Sequence, residues 1–174
     1  MKGHQKHKKI PRAQFGTFSR SEISFLGAPC GEIEALCQKL AVQSGLNTLY
    51  IDAKHGDTLP RPDMHVLEYQ QDHWRLTLND PNDDPYAWRR LTDEYDLSLI
   101  NGNHFEADKQ IICLHPKKYD SLKRKAEKLT RPVAMVDFTG EGVIPAELQA
   151  FLSKWEGLPI FGAEDIEALS DFVK

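Results

Sequence analysis

Apolar positions along the chain fall in short blocks separated by polar, glycine- and proline-rich punctuation. Glu22–Leu26 (EISFL) is an apolar-rich run closed by Gly27-Ala28-Pro29, the pattern of a buried strand. Residues 31–44 then place Ile33, Leu36, Cys37, Leu40 and Ala41 at i, i+3, i+4, i+7 and i+8, which predicts an amphipathic helix stopped by Gly45. Thr48–Ile51 (TLYI) reads as a second strand, ending in Asp52, and the following AKHGDTLPRPD reads as loop. Val66–Tyr69 and Trp74–Leu78 read as two short strands about Gln70–His73, a candidate hairpin. Tyr86–Tyr95 predicts a short helix with Trp88, Leu91 and Tyr95 on one side. Leu97–Ile100, Gln110–Leu114, Val133–Val136 and Leu158–Phe161 complete the strands. Between them lie a strongly basic helix over Lys117–Leu129, a helix over 145–155 opened by Pro145, and a final helix over Ala163–Val173.

Strands alternating with helices predict an α/β fold: a mostly parallel sheet with helices on both faces, joined by right-handed crossovers. The antiparallel pair near 66–78 is expected as a small edge insertion. No internal repeat and no dividing linker is visible, so residues 21–174 read as a single domain behind a basic, solvated tail over residues 1–20. In such folds ligands bind outside the carboxyl ends of the strands. The informative segments are therefore Gly27–Gly31, Asp52–Asp57, Asn101–His104 and Phe138–Gly142.

Composition narrows the function classes. With 174 residues, 40% hydrophobic and 28% charged, the chain can bury one sizeable core. No apolar run approaches the roughly 20 residues that cross a bilayer, so no membrane association is expected. MKGHQKHKKIPR is basic but no apolar stretch follows it, unlike a secretory signal. Cys30, Cys37 and Cys113 form an odd set without a CxxC pair, which points to a reducing cytoplasm. Residues 1–12 carry five of the 22 cations and no acid, leaving 17 basic against 26 acidic side chains in the remainder. An acidic body argues against a nucleic-acid partner.

Strand, then GAPCG, then helix is the layout of a phosphate-binding loop, because amides and dipole at a helix start favour an anion. The common form of that loop is G-x-x-x-x-G-K-[ST]. Gly31 follows Gly27 one position too early, and Glu32 and Ile33 stand where the Lys and the hydroxyl belong. A carboxylate in the Lys place repels phosphate by about 1–4 kcal/mol in a partly wet site, which argues against triphosphate hydrolysis. GAPCG also reads simply as a tight turn into a helix. Cys30 at that helix start is alternatively a thiol nucleophile, with His55 or His104 as the candidate base. Asp52, Lys54 and His55 gather a carboxylate, a cation and an imidazole after a strand. Lys54 and His55 suit a phosphate, and Asp52 suits a metal or a sugar hydroxyl. Asn101, Gly102, Asn103 and His104 supply strand-end amides and a glycine that lets backbones approach closely. His65, His73, His115, Trp74, Trp88 and Trp155 read as structural.

Taken in order, these motifs resemble the molybdopterin-guanine dinucleotide biosynthesis adaptor family (MobB-like). EISFLGAPCGEIEALCQKL stands where that family has its strand, phosphate loop and first helix, and YIDAKHGD where it has a strand leading into a Lys-His loop. YDLSLINGNHFEADKQIICL resembles its Asp-Leu-x-Leu-x-Glu-Gly strand and Pro-Lys segment, and LPIFGAEDIEALSDFVK its Leu-Pro-x-Phe segment and last helix. The resemblance implies a P-loop NTPase-like fold and a role in making the guanine dinucleotide form of the molybdenum cofactor. Implied ligands are GTP with Mg2+ and molybdopterin; implied partners are a guanylyltransferase and a second copy in a homodimer. Carried over by position, Gly27, Ala28, Pro29, Cys30, Gly31, Glu32 and Ile33 are the phosphate loop, and Lys54 and His55 the basic ligand loop. Asn101 and Gly102 occupy the Glu-Gly position, and Lys109 the Lys of Pro-Lys. Asn101 replaces a metal-supporting carboxylate. The expectation is a degenerate adaptor, not catalytic on its own. A variant NTPase or small-molecule kinase and a purely structural interaction domain are the alternatives.

Overall fold

The computed structural model describes residues 21–53, 66–70, 73–77, 94–105 and 107–174. Six strands form one all-parallel sheet: β1 (Ser21–Leu26), β2 (Thr48–Ile51), β5 (Leu97–Asn101), β6 (Lys109–Leu114), β7 (Pro132–Asp137) and β8 (Ile160–Gly162). Their order is β2-β5-β1-β6-β7-β8. The expected antiparallel pair, β3 (Val66–Gln70) and β4 (His73–Thr77), forms a two-stranded sheet of its own instead of adding to the edge of the large one. The α-helices among the described residues are α1 (Cys30–Ser44), α2 (Tyr119–Arg124), α3 (Ala146–Leu152) and α4 (Ile166–Val173). The tail over residues 1–20 and the helix expected over Tyr86–Tyr95 lie outside the described residues, apart from Glu94 and Tyr95.

Strand periodicity of two makes both faces of the sheet. Ile23, Phe25, Ile111, Cys113, Ala134 and Val136 point to one side, where Ile33, Leu36 and Leu40 of α1 and Leu169 and Val173 of α4 cover them. Leu26, Ile112, Leu114 and Met135 point to the other, against Leu122 of α2 and Leu148 and Leu152 of α3. Near-continuous apolar strands are what a doubly covered parallel sheet requires, and β5 is buried along its whole length.

The basic helix expected over Lys117–Leu129 is broken into a 3₁₀ turn (Pro116–Lys118), α2, and a second 3₁₀ turn (Ala126–Lys128). His115 starts the first turn by accepting the Lys117 amide at 3.2 Å. Buried Gln110 pulls the far end onto the sheet: its Nε2 donates to Lys128 O at 2.5 Å, and its Oε1 accepts the Thr130 and Arg131 amides at 2.8 and 3.0 Å. These tertiary hydrogen bonds win over the helical pattern. The last helices are also shorter than their apolar spacing suggests. Residues 153–155 close α3 as 3₁₀, and α4 begins only at Ile166.

Candidate functional site

In the sheet order, β5 and β6 flank β1 and their chains continue in opposite directions. This switch point opens a crevice at the carboxyl ends of the strands. The turn Gly27–Pro29 sits there and feeds α1. Gly27 has φ +106°, and a Cβ on it would lie 2.7 Å from the Cys113 carbonyl oxygen. Glycine is therefore needed for this turn to cross β6. Gly102 plays the same part on the other side. Its amide donates to Phe25 O at 2.8 Å, and a Cβ would stand 2.9 Å from that oxygen.

The first half of the turn is covered and the second half is open. Gly27 and Ala28 are buried, Pro29 and Cys30 half-buried, and Gly31 and Glu32 exposed. Asn103 Nδ2 donates to Ala28 O at 2.8 Å and ties the turn to the loop after β5. Asn103 is itself held by Asn101, whose Oδ1 accepts the Asn103 amide at 3.1 Å. Among the described residues no side chain caps α1; Pro29 occupies the cap position and its carbonyl accepts the Glu32 and Ile33 amides at 3.0 and 3.1 Å. The Cys30 and Gly31 amides precede the first bonded turn of the helix.

The structure brings Cys30, His104 and Asp52 together from three loops. Cys30 Sγ lies 3.3 Å from His104 Nε2, and the same nitrogen lies 3.7 Å from Asp52 Oδ1. Asp52 also accepts the Tyr50 hydroxyl at 2.9 Å and the Ala53 amide at 2.6 Å. Burial, then the Asp52 carboxylate, pushes the Tyr50 hydroxyl pKa up, so Tyr50 stays a donor. In a nucleophilic triad the carboxylate orients the base through its other ring nitrogen. Here thiol and carboxylate share one nitrogen, so the cluster is a bridged contact and lacks that geometry.

Other expected site residues are placed less favourably. Lys109 aligns with Ile23 at the start of β6, about 13 Å below Gly27 at ~3.3 Å per residue. A parallel strand presents its start at the opposite edge of the sheet, so Lys109 does not join the site. Ile33 is fully buried in the core, so where the hydroxyl of a phosphate loop belongs there is an apolar side chain packed into that core. Lys54 and His55 lie outside the described residues. Among the described residues no three His, Cys, Asp or Glu side chains are grouped to hold a metal ion, and Asp52 stands as a single carboxylate. Among them, too, no helix is long and apolar enough to cross a membrane.

Two neighbours of the turn carry no motif. His115, just after β6, packs against Phe138 with ring centroids 5.6 Å apart and the planes tilted by 56°. Burial lowers its pKa, against an opposing pull from Glu32. Lys125, the residue that ends α2, brings its Nζ to 3.4 Å from Asn103 O and 3.5 Å from Asn103 Oδ1. In sequence it is one of several cations in a basic stretch, and only the break after Arg124 turns it toward the site. Beyond β7, Asp137 is buried and its carboxylate accepts Thr139 N and Oγ1, both at 2.7 Å, and Gly142 N at 2.8 Å. It shapes the loop after β7 and has no outward-facing role.

A doubly covered parallel sheet with a glycine turn running into a helix at its switch point defines an α/β domain of the doubly wound kind. Two solved structures share it along nearly their whole length. One is the crystal structure of molybdopterin-guanine biosynthesis protein B (MobB), with TM-score 0.54 and 12% identity, covering 87% of this chain and 95% of that one. The other is Bacillus subtilis MobB, with TM-score 0.52 and 19% identity, covering 90% and 99%. No family model and no curated protein matches the sequence. At these identities the likeness is one of fold.

Proposed function

We propose that this chain is an accessory domain of molybdenum-cofactor biosynthesis. It binds a guanine nucleotide or the phosphate of molybdopterin at the start of α1 and assists a guanylyltransferase. One observation carries this: the domain matches MobB structures over almost their entire length, and a glycine turn runs into the start of α1, where backbone amides and the helix dipole favour an anion. The loop's own chemistry limits what it does with the ligand. Glu32 takes the place of the lysine, Ile33 faces the core, and Asn101 stands where a carboxylate would support magnesium. This donor set does not fit a magnesium ion, so binding is metal-independent and no hydrolysis step follows. On the same reading the protein works in the cytoplasm, as a homodimer. Calorimetric titration with GTP, GMP and molybdopterin, each with and without magnesium, tests the ligand. Equal heats in both conditions are expected, and silence with all three removes the ligand.

A second reading, a scaffold that only docks the transferase, is favoured by the closed first half of the turn, where Ala28 is 0% exposed. Gly31→Trp separates the two. Gly31 is exposed and nothing lies within 4 Å of a Cβ there, so a side chain can leave toward solvent, and an indole is expected to shade the loop amides. Ligand heat lost with transferase binding kept supports the ligand site. Transferase binding kept with no heat even in the wild type supports the scaffold.

A further inference from the structure

We propose that Lys125 supplies the positive charge that the loop itself lacks, so that a bound phosphate is held between this ammonium, the Asn101 amide and the start of α1. The inference rests on the anion site proposed above and names what holds the anion there.

Lys125 arrives from a different element, the end of α2, on the side of the sheet opposite to α1. Its Nζ is 3.4–3.5 Å from the two oxygens of Asn103, long and weak contacts for an ammonium. Asn103 in turn grips Ala28 O at 2.8 Å, so the ammonium lies one side chain away from the turn. Among the described residues no carboxylate pairs with Lys125. Its surroundings disfavour its charge: burial comes first, followed by Lys128 and Lys118, while the Cys30 sulfur favours it. A half-buried cation beside other cations is costly to keep unless an anion joins it.

An independent donor points to the same place. Asn101 is 0% exposed and its Nδ2 has no acceptor among the described residues. Buried amide nitrogens without partners are rare and call for an explanation. By strand alternation Asn101 lies on the α1 face, in line with Leu97 and Leu99, at the carboxyl end of β5. Its Oδ1 is committed to the Asn103 amide. An oxygen-rich anion over the turn satisfies Asn101 Nδ2, Lys125 and the uncapped helix start together. Glu32 and Asp52 are the opposing charges: Glu32 is exposed in the first turn of α1, where water screens it, and Asp52 lies behind His104 and accepts the Tyr50 hydroxyl and the Ala53 amide.

The test is calorimetric titration of the full chain with inorganic pyrophosphate at low salt. The wild type is expected to bind, and Lys125→Ala to weaken affinity about tenfold or more, as loss of a charge-assisted contact does. Lys125→Arg is expected to keep most of it, and Lys128→Ala to change it less than about twofold. Lys125→Gln repeats the measurement with the stem kept, in case the alanine variant unfolds. Pyrophosphate is also expected to slow acylation of the Lys125 amine, read by peptide mass mapping. Unchanged affinity in both Lys125→Ala and Lys125→Gln overturns the role of Lys125 and leaves the anion site standing. A wild type that takes no pyrophosphate overturns both.

Discussion

Substituting the two glycines that bracket the GAPCG turn has opposite consequences. Gly27→Ala forces a Cβ onto a residue with φ +106° and puts it 2.7 Å from the Cys113 carbonyl and 3.1 Å from Leu122 Cδ1. The backbone conformation alone costs on the order of 1–3 kcal/mol. The clash adds roughly 1–3 kcal/mol, since a carbonyl inside a parallel ladder has no rotamer to escape to. A loss of about 2–6 kcal/mol is a large share of the stability of an ordinary domain. At this chain length it lowers Tm by on the order of 10 °C. Gly31 has an ordinary φ and open space around its would-be Cβ. Gly31→Ala is therefore neutral or stabilising, by up to about 1 kcal/mol, because alanine suits a helix better. Urea unfolding followed by far-ultraviolet circular dichroism compares the two. Equal midpoints for the two variants would refute the claim that the crossing under β6, and not the glycine content of the loop, fixes this turn.

Further outcomes follow from the same geometry. Alkylation of the native protein at neutral pH is expected to label Cys30 alone. Burial pushes the Cys113 thiol up to about 12 and raises that of Cys37 well above its usual value, so fast labelling of two or three sites, counted by mass spectrometry, contradicts this core. Gln110→Leu strands Lys128 O and the Thr130 and Arg131 amides and is expected to cost about 3 kcal/mol in urea unfolding. Asp137 feels burial first, which raises its pKa. The hydrogen bonds from the Thr139 side chain and from the Gly142, Thr139 and Glu141 amides outweigh it and hold the carboxyl below 3.8. A depressed carboxylate stabilises the fold above 3.8 and loses that contribution as pH falls through the folded value. Asp137→Asn is thus expected to cost about 2 kcal/mol near pH 7 and progressively less below pH 3.8, measured by Tm against pH.

Where periodicity was strong and local, sequence and structure agree closely. The helix read over 31–44 is α1 over 30–44, because five apolar residues on one stripe leave it a single way to bury them. Thr48–Ile51 and Gln110–Leu114 match β2 and β6 to within a residue. The basic stretch after β6 departs from its helical pattern because that pattern says nothing of Gln110, which bonds Lys128 O and the Thr130 and Arg131 amides. The site followed the same division. Gly27 and Gly102 stand where strand-end glycines suggested, yet Lys109 dropped out once the parallel register placed it beside Ile23. Lys125 carried no motif, so only the break after α2 could reveal it.

Hydrophobic spacing along the chain determined the layered α/β arrangement and the position of the first loop, since both depend on which residues must leave water and where glycine interrupts them. The tertiary structure decided strand order, and with it which loops meet: Cys30, His104 and Asp52 come from segments that share no local pattern, and β1 lies between β5 and β6 only because of how the crossovers pack. Encounters between residues 74 positions apart, such as Cys30 and His104, are set by that packing, for which one-dimensional periodicity has no signal.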